Sequence, residues 1–141
     1  MAETFQLQVA TPERLVLDEQ VTLAELPGED GYMGVLAGHA PLLSALGAGV
    51  LNYEGGGGPH ILAVDGGFIE VFDNHVRVLA DRAEAADTIA RDGAQRELEQ
   101  ASDALKRATN EPDSRAALSA VKRAQARIDA ADRRAPGSAA R

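Results

Sequence analysis

The chain of 141 residues contains no cysteine and no tryptophan. The absence of cysteine excludes a disulfide framework, a thiolate metal site and a cysteine nucleophile. Positive charge is also scarce, because 14 Lys and Arg stand against 22 Asp and Glu, a formal net charge of -8. Since binding to phosphates requires concentrated positive charge, we do not expect this chain to bind nucleic acid.

The scarce residue types are distributed unevenly along the chain. Residues 1–81 hold all five aromatic residues and two basic residues against 12 acidic ones, a net charge of -10. Residues 82–141 hold only two glycines, and 12 basic residues against 10 acidic ones give a net charge of +2. This contrast predicts two differently built parts, a domain over 1–83 and a second one over 84–135, followed by a disordered tail over 136–141.

The first part has the pattern of short β-strands. Apolar and polar residues alternate over 5–9 and again over 76–80, which is the period of a half-buried strand. Turn-forming residues separate such segments, notably the glycines of 55–58 and the Asp73-Asn74 pair, which tolerates positive φ. Many short strands joined by tight turns predict an antiparallel sandwich or flattened barrel.

The second part has the pattern of two amphipathic helices. Over 88–108 and again over 114–134 the apolar residues recur at spacings of four and three. In the linker, Pro112 is expected to stop the first helix, and Asp113 or Ser114 to cap the second. The short linker predicts an antiparallel hairpin, and the thin alanine-rich stripes predict that it needs a partner surface.

No pattern of a catalytic, cofactor or metal site stands out. The glycine run is followed by Pro59 and His60 rather than by the Lys-Ser/Thr of a phosphate-binding loop. His39, His60 and His75 lie in separate segments without the spacing of metal ligands. These observations favour a binding or structural protein over an enzyme, and one alternative is a free-standing β-sandwich ligand-binding module with a helical oligomerisation tail.

Three blocks of sequence resemble the epsilon subunit of F-type ATP synthases. Residues 26–43 read LPGEDGYMGVLAGHAPLL, close to the family's pattern PGxxGxxGVLPGHAPLL, although Ala37 replaces a proline. Residues 64–71 (VDGGFIEV) and 76–81 (VRVLAD) resemble the family's SGGFxEV and VxVLAD. The opening block, LQVATPE over 7–13, also resembles its counterpart.

This resemblance implies a sandwich of about ten strands followed by two helices. It implies a rotor subunit of the central stalk that binds the gamma subunit and the c-ring and couples proton-driven ring rotation to ATP synthesis. Such a subunit has no catalytic residue, metal or cofactor of its own. It lies on the cytoplasmic face of the bacterial cell membrane and reaches the membrane only through the complex. The start of the chain, MAETF, shows no secretory leader, which agrees with this expectation.

The resemblance also implies two sets of contact residues. Ring-side and stalk contacts are expected from Glu29, Asp30, Tyr32 and His39. In many bacterial members the hairpin leaves the sandwich, reaches the alpha and beta subunits and inhibits ATP hydrolysis. The basic residues expected to make those transient contacts are Arg115, Lys122, Arg123, Arg127, Arg133 and Arg134.

Some members bind ATP through the motif Ile-Asp-x-x-Arg-Ala at the start of the first helix. The corresponding segment here is Ile89–Ala94, in which Ala90 replaces the aspartate and Gly93 replaces the arginine. Without the carboxylate and the guanidinium the charge-assisted contacts are lost. We therefore predict that this chain does not bind ATP.

Overall fold

The computed structural model describes residues 3–133, in which a β-sandwich precedes two helices. This architecture confirms the predicted fold class. The strands are β1 (Phe5–Ala10), β2 (Leu15–Val21), β3 (Leu23–Gly28), β4 (Gly31–Val35), β5 (Leu42–Ala45), β6 (Gly49–Glu54), β7 (Pro59–Phe72) and β8 (His75–Ala85). The helices are α1 (Arg91–Arg107) and α2 (Glu111–Arg133).

The strands follow the order β2-β1-β8-β7-β6-β3-β4, and β5 pairs with β7 outside this order. Every ladder is antiparallel except the parallel pair of β1 and β8. The long strand β7 serves both layers, because residues 59–64 pair with β6 and residues 68–71 pair with β5. Positive φ at Gly66 and Gly67 interrupts it between these segments. Dividing β7 and β8 at this point gives close to the ten strands that the resemblance implies.

The core lies between the two layers and confirms the alternation in the sequence. In β1 the side chains of Phe5, Leu7 and Val9 are buried, while their neighbours Gln6 and Gln8 are partly exposed. Other strands contribute further buried side chains to the same cluster, among them Leu26, Val35, Leu51, Val64, Ile69, Val76 and Val78. Burial of these apolar side chains is the main stabilising contribution to the sandwich.

The two hairpin turns predicted from the sequence are present. Asp73 and Asn74 connect β7 to β8 with φ angles of 46° and 60°, the left-handed pair that a two-residue turn requires. The glycines of 55–58 connect β6 to β7. The segment 31–53, which carries no charged side chain, forms β4, β5 and most of β6. Within residues 3–133, no helix is both long and apolar enough to cross a membrane.

The predicted helix boundaries were wrong by several residues. The first helix begins at Arg91 rather than near 88, because a 3-10 turn occupies 86–88 and the buried Ile89 has an extended backbone. The second begins at Glu111 rather than near 114. Asn110 caps it, since its side-chain oxygen accepts a hydrogen bond of 2.8 Å from the backbone N–H of Asp113. Neither Asp113 nor Ser114 is the cap.

The placement of Pro112 follows from this cap. It lies in the first turn of α2, where a missing N–H leaves no helical hydrogen bond unmade, so it starts a helix rather than ending one. The first helix has already ended at Arg107.

The hairpin packs on one outer face of the sandwich through α2. Ile128, Ala130 and Ala131 of α2 form a second buried cluster with Val50 of β6 and Ala63 of β7. From α1, Ala94 and Leu98 also pack in this cluster, and so do Ala86 and Ile89 from the segment between β8 and α1.

Strand β8 extends to Ala85. The predicted tail over 136–141 lies outside the described residues.

Candidate functional site

Glu29 and Asp30 form the turn between β3 and β4. The backbone N–H of Glu29 donates a hydrogen bond of 3.0 Å to the carbonyl oxygen of Ala45, which holds the turn against β5. Both acidic side chains are exposed. The turn therefore presents two carboxylates on a backbone that is fixed.

Tyr32 lies next to this turn, in the edge strand β4. Its hydroxyl oxygen accepts a hydrogen bond of 2.9 Å from the backbone N–H of Val50. A Cβ added to Gly49 would lie 2.6 Å from the same hydroxyl oxygen, so the phenol packs closely over that glycine. Its side chain is nevertheless 54% exposed. The ring is thus fixed in the fold while about half of the residue's surface stays exposed.

His39 lies beyond the other end of β4. Its Nδ1 is 2.7 Å from the carbonyl oxygen of Ala40, and the N–H of the preceding Gly38 donates to Oδ1 of Asn74 at 2.9 Å. The five residues of β4, at ~3.3 Å each, place roughly 15 Å between this turn and the turn at Glu29. The four predicted ring-side residues consequently occupy two separate positions and do not form one cluster.

A strip of apolar side chains that the sequence analysis did not identify lies on the sandwich face not covered by the hairpin. We call Leu43, Phe68 and Leu79 the outer strip, and they are 71%, 58% and 50% exposed. Phe68 and Leu79 are direct partners in the β7–β8 ladder. Leu43 lies opposite Glu70, one diagonal step of about 7 Å from Phe68. The register therefore makes these three exposed apolar residues neighbours on adjacent strands.

Polar side chains border the outer strip. Arg77 donates a hydrogen bond of 3.2 Å to Glu70, and its guanidinium lies 5.5 Å from the ring centroid of Phe72. His75 stacks on the same ring at 5.0 Å, and its Nε2 is 2.6 Å from Oε1 of Gln8. An apolar centre with an ordered polar border is the usual composition of a protein–protein interface.

Two of the predicted hairpin contacts, Arg123 and Arg127, face the sandwich instead of solvent. Nε of Arg123 lies 3.0 Å from Oδ2 of Asp65, and Nε of Arg127 lies 2.5 Å from Oε1 of Glu84. We call these two ion pairs the clasp. Arg127 also pairs with Glu97 of α1. The hydrogen bond to Glu84 raises the pKa of Arg127 above its usual range, while burial opposes this shift.

The remaining basic residues of that set are placed differently. Arg133 lies 3.9 Å from a carboxylate oxygen of Glu25, at the edge of ion-pair distance. Arg115 pairs at 2.5 Å with Glu111 inside α2. Lys122 is exposed. Arg134 lies outside the described residues.

A cavity of about 160 Å³ lies beside the clasp. Its apolar wall comes from Ala63, Val64 and Ala126, and its charged wall from Asp65, Arg82, Glu84, Glu97, Arg123 and Arg127.

Between residues 3 and 133, no group of three His, Asp or Glu side chains is arranged to hold a metal ion. At the degenerate nucleotide motif, Ala90 precedes α1 without a side-chain cap and Gly93 lies in its first turn.

The chain is similar to known proteins over nearly its whole length. The sequence model of a family described as "ATP synthase, Delta/Epsilon chain, beta-sandwich domain" matches residues 4–86. The ATP synthase epsilon chain of Solibacter usitatus is 46% identical over 141 residues, covering 95% of this chain and 100% of that protein. That of Nitratidesulfovibrio vulgaris (strain DP4) is 42% identical over 128 residues, covering 91% and 96%.

Solved structures show the same fold. A chain in the Euglena gracilis mitochondrial ATP synthase (OSCP/F1/c-ring, rotational state 1) superposes with a TM-score of 0.80 at 25% identity, covering 93% of this chain and 82% of that one. A chain of the Tetrahymena thermophila mitochondrial ATP synthase central stalk/c-ring superposes with a TM-score of 0.61 at 13% identity, covering 93% and 99%. The second likeness concerns the fold alone.

Proposed function

The chain belongs to the ATP synthase delta/epsilon family, and from this premise we propose that it is the epsilon subunit of a bacterial F-type ATP synthase. As such it is a non-catalytic rotor subunit of the central stalk, which couples proton-driven rotation of the c-ring to ATP synthesis. The near-complete overlap with epsilon chains supports this assignment. In the complex it is peripheral, on the cytoplasmic face of the cell membrane.

The observation that carries the stalk assignment is the outer strip. One outer face of the sandwich is covered by α2, whereas the opposite face leaves Leu43, Phe68 and Leu79 exposed. Because burial of one large apolar side chain contributes about 1.5–3 kcal/mol, three adjacent ones form a substantial docking surface. We assign this surface to the gamma subunit, with Glu70 and Arg77 at its border.

The two turns flanking β4 are assigned to the c-ring and the stalk beside it. Glu29 and Asp30 present carboxylates at one end of the strand, Tyr32 lies beside them, and His39 follows the other end. Two contact points roughly 15 Å apart resist rotation of the subunit against the ring better than one point does. This geometry suits a subunit that must turn with the ring as one body.

The helical hairpin, which the structure forms from α1 and α2 after β8 has ended at Ala85, is assigned a regulatory role. When it leaves the sandwich, the arginines of α2 are free to contact acidic segments of the alpha and beta subunits, and hydrolysis of ATP is inhibited. The docking contacts of α2 are mostly with alanine and partly exposed charge, which is consistent with an element that has two states.

The test is co-expression of the full chain with the gamma subunit of the same organism, followed by size-exclusion chromatography. We expect a one-to-one complex that is lost when Phe68→Ser and Leu79→Ser are combined. Leu118→Ser, an exposed leucine on α2, is the matched control and should leave the complex intact. Separate elution of the unmodified chain from the gamma subunit would contradict the stalk assignment.

A further inference from the structure

The arginines that face the sandwich are the same ones expected to contact the catalytic head. We propose that Asp65 and Glu84 regulate the hairpin by competing with the acidic head for Arg123 and Arg127. This inference rests on the proposed inhibitory function of the hairpin. It adds to that function a specific holding site on this chain.

The geometry of the clasp is a two-point match between a helix and a sheet. Arg123 and Arg127 are four residues apart, so they lie on one side of α2 at a rise of about 6 Å. In the β7–β8 ladder Asp65 lies opposite Arg82, and Glu84 lies opposite Ala63. Asp65 and Glu84 are therefore diagonal neighbours on one face, about 7 Å apart. The two spacings agree, and each guanidinium reaches its own carboxylate.

The apolar part of the docking contact is small, which makes the clasp important. In the cluster that α2 shares with the sandwich, α2 contributes Ala130 and Ala131, with Ile128 the one larger side chain among the described residues of this helix. An alanine methyl group removes little apolar area from water. Ion pairs with side chains 23–37% exposed retain part of their attraction and are screened by salt. Docking should consequently weaken as ionic strength rises.

Other charges around the clasp make its release reversible. Arg82 lines the same cavity as Asp65 and Glu84, so these carboxylates keep a positive neighbour when α2 departs. Glu97 belongs to α1, so its ion pair with Arg127 lies within the hairpin and does not have to break when the hairpin leaves the sandwich. The departing guanidinium groups lose their sandwich partners, and an acidic surface elsewhere can replace them. Docking and inhibition thus require the same two side chains and exclude each other.

The first test measures docking on the isolated full chain. Because the chain has no cysteine, Ala126→Cys introduces a single thiol, buried beside the cavity, whose labelling rate reports release of α2. We expect the rate to rise roughly tenfold in Asp65→Asn/Glu84→Gln, and also in the unmodified clasp when salt is raised to about 1 M. Ser119→Cys, exposed on α2, is the control for reagent reactivity, and Glu111→Gln is the control for loss of an ion pair elsewhere. A labelling rate unaffected by salt and by neutralisation would overturn the clasp.

The second test places Asp65→Asn/Glu84→Gln in the assembled enzyme and adds Arg123→Gln/Arg127→Gln, whose labelling rate is measured on the isolated chain as in the first test. Asp65→Asn/Glu84→Gln should lower the rate of ATP hydrolysis, because the arginines become free to inhibit. Arg123→Gln/Arg127→Gln should raise it, although both variants release the hairpin. Shifts of the hydrolysis rate in the same direction would overturn the competition. Raised labelling in both variants with unchanged hydrolysis in both would confirm the docking contacts and overturn the inhibitory function itself.

Discussion

The hydroxyl oxygen of Tyr32 accepts a hydrogen bond of 2.9 Å from the backbone N–H of Val50. This bond connects the edge strand β4 to β6, although β3 lies between them in the sheet. The β3–β6 ladder ends at the pair of Glu25 and Asn52. Beyond it, the carbonyl oxygen of Pro27 accepts a hydrogen bond from the N–H of Gly47 and not from Val50. The phenol thereby satisfies a donor that the sheet leaves without a partner. Tyr32 has a structural role in addition to its proposed contact with the ring.

The first prediction follows from this hydrogen bond. Tyr32→Phe should lower the free energy of unfolding by about 1–2 kcal/mol, because the N–H of the buried Val50 is left unsatisfied. Urea unfolding followed by circular dichroism measures it. Ser44→Ala is the control, since that hydroxyl donates a hydrogen bond to the carbonyl oxygen of the next residue, Ala45, at 3.2 Å and so joins no distant segments. Equal stability of Tyr32→Phe and the unmodified chain would show that water replaces the phenol.

The second prediction concerns the interruption of β7. Gly67 has φ of 116°, and a Cβ on it would overlap the carbonyl oxygen of Leu79 in β8. Gly67→Ala should destabilise the fold by about 3 kcal/mol or more, because backbone strain and the steric clash act together. Gly34→Ala, where no atom lies within 4 Å of the added Cβ, should change stability by less than about 0.5 kcal/mol. Thermal or urea unfolding of both variants separates the two cases.

The third prediction concerns Asn74, which joins two distant segments. Its Oδ1 accepts the N–H of Gly38 at 2.9 Å, and its Nδ2 donates to the carbonyl oxygen of Thr4 at 2.8 Å. Asn74→Ala loses both bonds and places alanine at a φ of 60°, so we expect a loss of about 2 kcal/mol. Asn74→Gly accommodates the φ without restoring the bonds and should lose about half as much. A loss no smaller in Asn74→Gly would assign the whole effect to the side-chain bonds.

The comparison between sequence and structure shows where local patterns are informative. Alternation over 5–9 and 76–80 identified the inward faces of β1 and β8, because a buried face enforces a period of two. Residues 68–72 (FIEVF) are apolar at both alternating positions apart from Glu70, so alternation alone did not identify Ile69 and Val71 as the buried pair and Phe68 as exposed. It did not show which outward face the hairpin covers, since that depends on how the two layers and α2 pack. The outer strip was missed for this reason.

The clasp shows a second limit. The basic face of α2 was visible in the sequence, but its carboxylate partners lie 58 residues away for Arg123 and 43 for Arg127. Pairing over such separations is set by strand register and helix docking, and neither can be derived from spacing along the chain.

The helix boundaries were wrong by a few residues for a local reason. In the sequence, Pro112 is compatible both with the end of the first helix and with the start of the second. The structure shows that it starts the second helix, because Asn110 caps that helix.

The last prediction is a pH dependence at high pH. Burial, and then the hydrogen bond and negative charge of Glu19, raise the pKa of Tyr53 from 10.0 to about 12. The hydroxyl lies 3.1 Å from Oε2 of Glu19. The folded chain therefore keeps this proton at pH values where the unfolded chain has released it. Its contribution to stability is complete below pH 10.0 and is lost as pH rises toward about 12.

The measurement is the free energy of unfolding against pH, for the unmodified chain and for Tyr53→Phe. Subtracting one curve from the other removes the titration of the remaining groups and should leave a decline confined to this interval. In Glu19→Gln the decline should begin near the same pH but be smaller, because burial still raises the pKa while the charge and the strongest acceptor are gone. A difference curve that stays flat through the interval would mean that Tyr53 ionises alike in the folded and unfolded chains, and that its contact with Glu19 does not survive at high pH.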